Sequence, residues 1–309
     1  MLFQYIQSPA AAVMIRPHHF ISNPETAADN AFQSIRANDT PEKIAAQARF
    51  EFDHAIQKMT DVGITVHVFD DFGEYDTPDS VFPNNWFSTH QGGRIAIYPM
   101  YSPSRRRERR HDVMDMLKQH YRVQEIVDYS GLEYDHLFLE GTGVMVFDHV
   151  ERVAYVGQSK RADPVILERF CTSFGYEPMA FDTADQNGTP VYHTNVMMAI
   201  GLEYAMICLD LIADPARRAE VEMRLRHSGR DVIVLSLAQI AEFAGNALEM
   251  TGKNGRVLVL SERALNSLTA EQVTVIEKSA ELLPLQIPTI ELAGGSVRCM
   301  IAGVHLTPR

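Results

Sequence analysis

The sequence is short of several things, and each shortage excludes something. Only three of its 309 residues are cysteines, Cys171, Cys208 and Cys299, an odd count with no close pair. That gives no basis for a disulfide framework, and no CxxC or Cys/His cluster has zinc-ligand spacing. Basic residues are scarce: 28 Lys and Arg against 40 Asp and Glu leave a formal charge of −12. This balance argues against nucleic acid or an anionic membrane as the main partner. No apolar run reaches the roughly 20 residues needed to span a bilayer. The opening, MLFQYIQSPAAAVMIRP, lacks a basic stretch followed by an apolar core, so it carries no secretory signal pattern. No Pro/Gly/Ser-rich or low-complexity linker interrupts the chain, and residues 1–309 are expected to form a single domain. Together these point to a soluble, reduced, cytoplasmic protein that handles a small molecule. The oligomeric state is not written in the sequence. One cluster runs against the overall charge, Ser104-Arg105-Arg106-Arg107-Glu108-Arg109-Arg110. It is expected to be a solvated helix face offset by the acidic remainder.

What the chain does have is a repeat. Asn85, Glu140, His193, Asn246 and Cys299 follow one another at steps of 55, 53, 53 and 53 residues. Each stands at a turn beside or within a hydrophobic run: NNWFSTH, LEGTGVMVFD, YHTNVMMAIG, GNALEMTGKNGRVLVLS and GGSVRCMIAGV. The intervals share a grammar. Thr40 and Pro41 read as the cap and first turn of a helix to about Asp61, stopped at Gly63 and followed by the strand GITVHVFD. DPVILERFCTSFG leads likewise into YEPMAFDT, and DPARRAEVEMRLRHSG into RDVIVLSL. Helical stretches around Arg107–Gln119 and Ala270–Leu282 lead into YRVQEIVD and LPLQIPTI. Each unit thus reads helix, strand, polar turn, strand. A mixed repeat of some 50 residues predicts a ring with strands inside and helices outside. In such a ring equivalent turns converge on the axis.

A glutamate, a histidine and a cysteine meeting there form a set for nucleophilic catalysis. Cys299 follows Gly294 and Gly295, which permit a tight turn and close ligand approach. A free thiol titrates at about 8.5 and needs help to ionise at neutral pH. Cys171 and Cys208 lie in apolar segments and read as buried small hydrophobes. His193 could be a general acid and base, although a lone histidine beside a strand is more often structural. Glu140 could orient it or hold a substrate nitrogen; its alternative is a surface hairpin residue. Asn246 after Gly245 reads as a turn residue.

With these residues in hand the chain resembles the pentein superfamily of guanidino-modifying enzymes, which includes the amidinotransferases. LEGTG with Glu140, YHTN with His193 and GGSVRCM with Cys299 carry the resemblance over essentially the whole chain. It implies an α/β propeller with five-fold pseudosymmetry, built of ββαβ units. It also implies attack by Cys299 on the central carbon of a guanidino or ureido group, with His193 moving protons and Glu140 orienting it. The deiminases of this group have aspartates where this chain has Asn85 and Asn195. Those aspartates grip a cation, whereas an asparagine both donates and accepts. FPNNW, LEGTG and YHTNV are most like the citrulline ureidase branch. The expected reaction is citrulline to ornithine, carbon dioxide and ammonia, with no cofactor and no metal. An arginine deiminase or an amidinotransferase is the alternative, and a non-catalytic binding propeller the second. For the α-carboxylate of an amino-acid substrate, Arg16 and Arg298 are the expected cations.

Overall fold

The computed structural model describes residues 5–26, 30, 32–34, 39–185 and 188–309. Thr40 opens the first long helix, Pro41–Asp61, its side chain accepting from the Lys43 amide at 3.3 Å. Ala48, Phe52, Ala55 and Met59 form its buried stripe at helical spacing. Burying a phenylalanine or methionine there contributes about 1.5–3 kcal/mol each. The helix stops at Gly63, which is left-handed with φ +88 and abuts the Lys253 backbone, so only glycine fits. Asp163 and Asp214 cap the helices Pro164–Phe174 and Pro215–His227 through their side chains.

The described residues hold fifteen strands in five three-stranded sheets. In chain order they are β1 (Ala11–Pro17), β2 (Thr65–Asp71), β3 (Phe87–His90), β4 (Arg94–Ile97), β5 (Glu125–Asp128), β6 (Val146–Asp148), β7 (Val153–Gly157) and β8 (Glu177–Phe181). Then come β9 (Met198–Ile200), β10 (Tyr204–Ile207), β11 (Asp231–Val234), β12 (Leu248–Gly252), β13 (Gly255–Ser261), β14 (Ala280–Leu285) and β15 (Ala302–Val304). In every sheet the middle strand runs antiparallel to one neighbour and parallel to the other. The remaining sheet joins the two ends of the chain: β15 pairs with β1, Ala11 opposite Val304, and β1 pairs with β2.

The innermost strands β3, β6, β9, β12 and β15 all line one axial cavity. The helices lie outside, as the repeat predicts. No helix among the described residues is long and apolar enough to cross a membrane. Two boundaries differ from the sequence expectation. The helix expected over Ala270–Leu282 ends at Glu277, because Leu282 and Leu283 pair with Leu258 and Val259 in the sheet. The stretch around Arg107–Gln119 divides into Pro103–Arg106 and His111–His120.

The polar marks of the repeat all sit where the chain enters an innermost strand, so they share one end of the ring. Their even spacing is not an even register. Asn85 and Asn246 stand two positions before β3 and β12, Cys299 three before β15, His193 five before β9 and Glu140 six before β6. Turns of different length, Pro83–Asn85, Gly141–Val144, Thr194–Val196 and Val297–Met300, take up the difference.

Candidate active site

Glu140 precedes the short helix Gly141–Val144 and is fully buried. Its Oε1 accepts from the Tyr101 amide at 3.0 Å. Its Oε2 accepts from Arg161 Nη1 at 3.2 Å and lies 2.7 Å from His193 Nε2. Burial alone would raise this carboxyl, but Arg161, then the bond to His193 and the charge of Arg105, hold it well below the usual carboxylate range. His193 is also buried, and burial pulls it down to about 4 despite Glu140, helped by the charges of Arg161 and Arg105. It is therefore a neutral imidazole at pH 7. Glu140 fixes the hydrogen on Nε2 and leaves Nδ1 as a lone pair, the state a general base needs. Gly143 lies under this ring. A Cβ there would stand 2.9 Å from Nδ1 and Cε1 of His193, which is why the turn is GTG.

Cys299 occupies the turn Val297–Met300 and is 2 % exposed. Its Sγ receives Asn246 Nδ2 at 3.3 Å and Asn195 Nδ2 at 3.4 Å. Asn246 also accepts from the Ser296 and Arg298 amides on Oδ1, at 3.2 and 3.1 Å, so one side chain holds the turn and touches the sulfur. Two side-chain N–H donors thus converge on that sulfur. Asn85 is oriented with Oδ1 accepting from Arg105 Nη1 and Nη2 at 2.7 and 3.0 Å. Its NH2 is then turned toward Gly143 and His193. Arg105 is buried and also forks onto Glu108, at 2.9 and 3.0 Å. Asp79 accepts from Asn23 Nδ2 at 2.8 Å on Oδ2, while its buried Oδ1 has no partner. Burial raises Asp79, opposed by Arg105. Asn85, Arg105 and Asp79 line a narrow cleft with Arg161, Tyr192, His193 and Cys299.

The structure thus brings Cys299, His193, Glu140, Asn85 and Asn195 to one place, and it corrects several expectations. Arg16 lies outside the cleft, paired with Asp53 at 2.7 Å and Asp70 at 3.0 Å. Arg298 points away from the cleft into the axial cavity, because residues adjacent in a turn face opposite ways. Asn195 lies against the sulfur rather than among the residues lining the cleft. Glu140 is not a surface hairpin residue, and Asn246 does more than close its turn. The run Ser104–Arg110 is no solvated face: Arg105 is 3 % exposed, and Arg109 forks onto Glu133. Cys171 and Cys208 are buried, and burial pushes the Cys171 thiol up to about 12.

Asp79, Arg105 and Arg161 were not visible from the repeat. The topology contains the missing signal for the two arginines. Since β4 and β7 run antiparallel to β3 and β6, the segments after them return to the end where the polar turns sit. Arg105 and Arg161 follow β4 and β7.

A family model described as N,N dimethylarginine dimethylhydrolase, eukaryotic, matches residues 16–306. Sequence comparison with curated proteins finds no match. Among solved structures, the N-terminal domain of ArgZ, an arginine dihydrolase from the ornithine-ammonia cycle in Cyanobacteria, was captured bound to substrate. It is similar with a TM-score of 0.74 at 16 % identity, over 96 % of this chain and 98 % of that one. The chain spans 41 % of ArgZ in its longer, apo structure. DDAH from Pseudomonas aeruginosa, complexed with citrulline, gives a TM-score of 0.64 at 12 % identity over 97 % and 100 % of the two chains. The five-sheet ring is shared with these structures, and the match over residues 16–306 means that the chain belongs to the N,N-dimethylarginine dimethylhydrolase family of the pentein superfamily, enzymes that hydrolyse C–N bonds of guanidino groups.

Proposed function

We propose that the protein hydrolyses the ureido group of citrulline or a close analogue, with Cys299 as nucleophile, His193 as acid and base, and Glu140 as the group that orients His193. The observation that carries this reading is the polarity of the cleft. Asn85 has its carbonyl clamped by Arg105 and its NH2 turned toward His193, and Asp79 offers one unpaired oxygen. A ureido group presents one carbonyl acceptor and several N–H donors, which fits one amide donor and one carboxylate acceptor. A guanidinium presents donors only, and would leave the Asn85 NH2 facing N–H.

Nδ1 of His193 takes the thiol proton, and the Cys299 sulfur bonds to the ureido carbon. The C–N bond to one nitrogen breaks, and that nitrogen leaves with the proton from His193. The remaining carbamoyl thioester is attacked by a water that gives its proton to His193. The C–S bond breaks, the thiol is restored, and the released carbamate falls apart. Citrulline and one water become ornithine, carbon dioxide and ammonia.

A hydrolase of arginine or a methylarginine is the second reading, favoured by Asp79, whose unpaired oxygen could accept from a cation. The two separate by product. Supply citrulline, arginine and dimethylarginine in turn, and score ornithine, citrulline and ammonia. Ornithine formed from citrulline supports the first reading. Inertness toward citrulline, with citrulline formed from a guanidino substrate, replaces it with the second.

A further inference from the structure

Behind the cleft, the same five innermost strands wall the axial cavity, and its chemistry is unlike that of the cleft. It leaves about 40 Å³ for the centres of water-sized occupants, where one water needs roughly 10–15 Å³. Its wall carries Arg298, His90, His149, His305 and Gln7, and neither aspartate nor glutamate among the described residues.

Arg298 enters this cavity from the turn that holds Cys299. Its Nη1 donates to the Ile301 carbonyl at 3.0 Å, and no carboxylate of the described residues pairs with it. Burial pulls the guanidinium down to about 10, so it stays charged at neutral pH. The three histidines add no compensating charge. His90 and His149 are held well below their ordinary value, and His305 is pulled down to about 4, by burial first and then by the neighbouring cations. His149 and His305 lie ring against ring at 4.0 Å, with His149 Nδ1 on the Tyr176 hydroxyl at 2.7 Å. His90 Nε2 lies 2.7 Å from the Ser88 hydroxyl. Gln7 seals one side, its amide donating to the Phe147 and Ile200 carbonyls at 3.0 and 3.1 Å. Arg298 is partly buried, and a cation with no carboxylate beside it in such a wall favours a counter-charge.

We infer that the axial cavity is a binding site for a small monovalent inorganic anion of halide size, with the Arg298 guanidinium as its anchor and neutral donors completing the shell. Such an ion supplies the charge that the wall lacks. It would also steady the turn shared by Arg298 and Cys299, whose backbone is tied through Asn246.

The test uses the intact protein and bromide. Gluconate is exchanged for bromide at constant ionic strength while the melting temperature is followed. A saturable rise of about 2 °C or more is expected, and it should vanish in Arg298→Gln. A crystal soaked in bromide should show an anomalous peak in the cavity beside Arg298. That peak decides the matter alone if the variant fails to fold. A cavity without bromide at saturating concentration overturns the inference, and so does a melting rise that persists in Arg298→Gln.

Discussion

Cys299 and Arg298 are neighbours in the chain and face two chambers of opposite character. On the cleft side, the buried arginines Arg105 and Arg161 each meet a carboxylate, Glu108 and Glu140, and the polar groups converge on one sulfur and one imidazole. On the axial side, one guanidinium faces three neutral histidines and an amide. The lesson is that a ring of repeats builds a site only where the turns bring unlike charges together. The same strands, further along the axis, build a pocket with charge of one sign.

The comparison breaks most completely at the sulfur. Cys299→Ala is expected to abolish turnover, while Cys171→Ala and Cys208→Ala keep it. Mass spectrometry after an acid quench should find an adduct on the Cys299 peptide only. An active Cys299→Ala protein would remove the cleft from the chemistry altogether.

Next come the groups that act through the pairing. Replacing His193 by Ala or Glu140 by Gln should each cost a hundredfold or more in kcat. The double variant should be much less than multiplicatively worse, since the two work as one unit. Glu140→Gln carries a second cost, because Arg161 loses the charge facing it inside the protein. Breaking a buried ion pair from one side costs about 3–5 kcal/mol, readable as a lower urea midpoint. Losses that multiply would show that the two residues act separately.

Smaller effects follow from pH. His193 in the cleft and His90, His149 and His305 around the cavity are all held below their ordinary value. As pH falls from 6.5, the unfolded chain takes up protons that the folded one refuses, so stability is present above that pH and is lost on the way down. Each such histidine contributes up to about 1.4 kcal/mol per pH unit in that window. Glu140, held low in the fold, loses its contribution below about pH 4.5. Urea midpoints between pH 7 and 4 should fall steeply, and His193→Gln should flatten the slope by one proton. An unchanged slope would mean that His193 is charged in the folded protein.

Much of this was legible in the sequence, for physical reasons. Caps, stop glycines and helical spacing are local, so the helix at Pro41–Asp61 and the repeat of helix and strand could be read directly. The polar turns could be read because the fold repeats them. Arg105 could not be read: its surroundings in sequence are a run of arginines, and only the return of β4 buries that one side chain against Asn85 and Glu108. Asn246 looked like any turn asparagine, since its contact with Cys299 joins residues 53 positions apart. Arg298 was misplaced because a position in sequence does not fix which way a side chain leaves a turn.

The central claim is that Asn85, held by Arg105 with its amide turned toward His193, suits the cleft to a neutral ureido substrate. The most direct measurement is kcat/KM for citrulline and for arginine in the natural protein and in Asn85→Asp. The natural protein should prefer citrulline, and the aspartate should move the ratio toward arginine by at least tenfold, about 1.4 kcal/mol. A natural preference for arginine, or a ratio that Asn85→Asp leaves unmoved, would contradict the account.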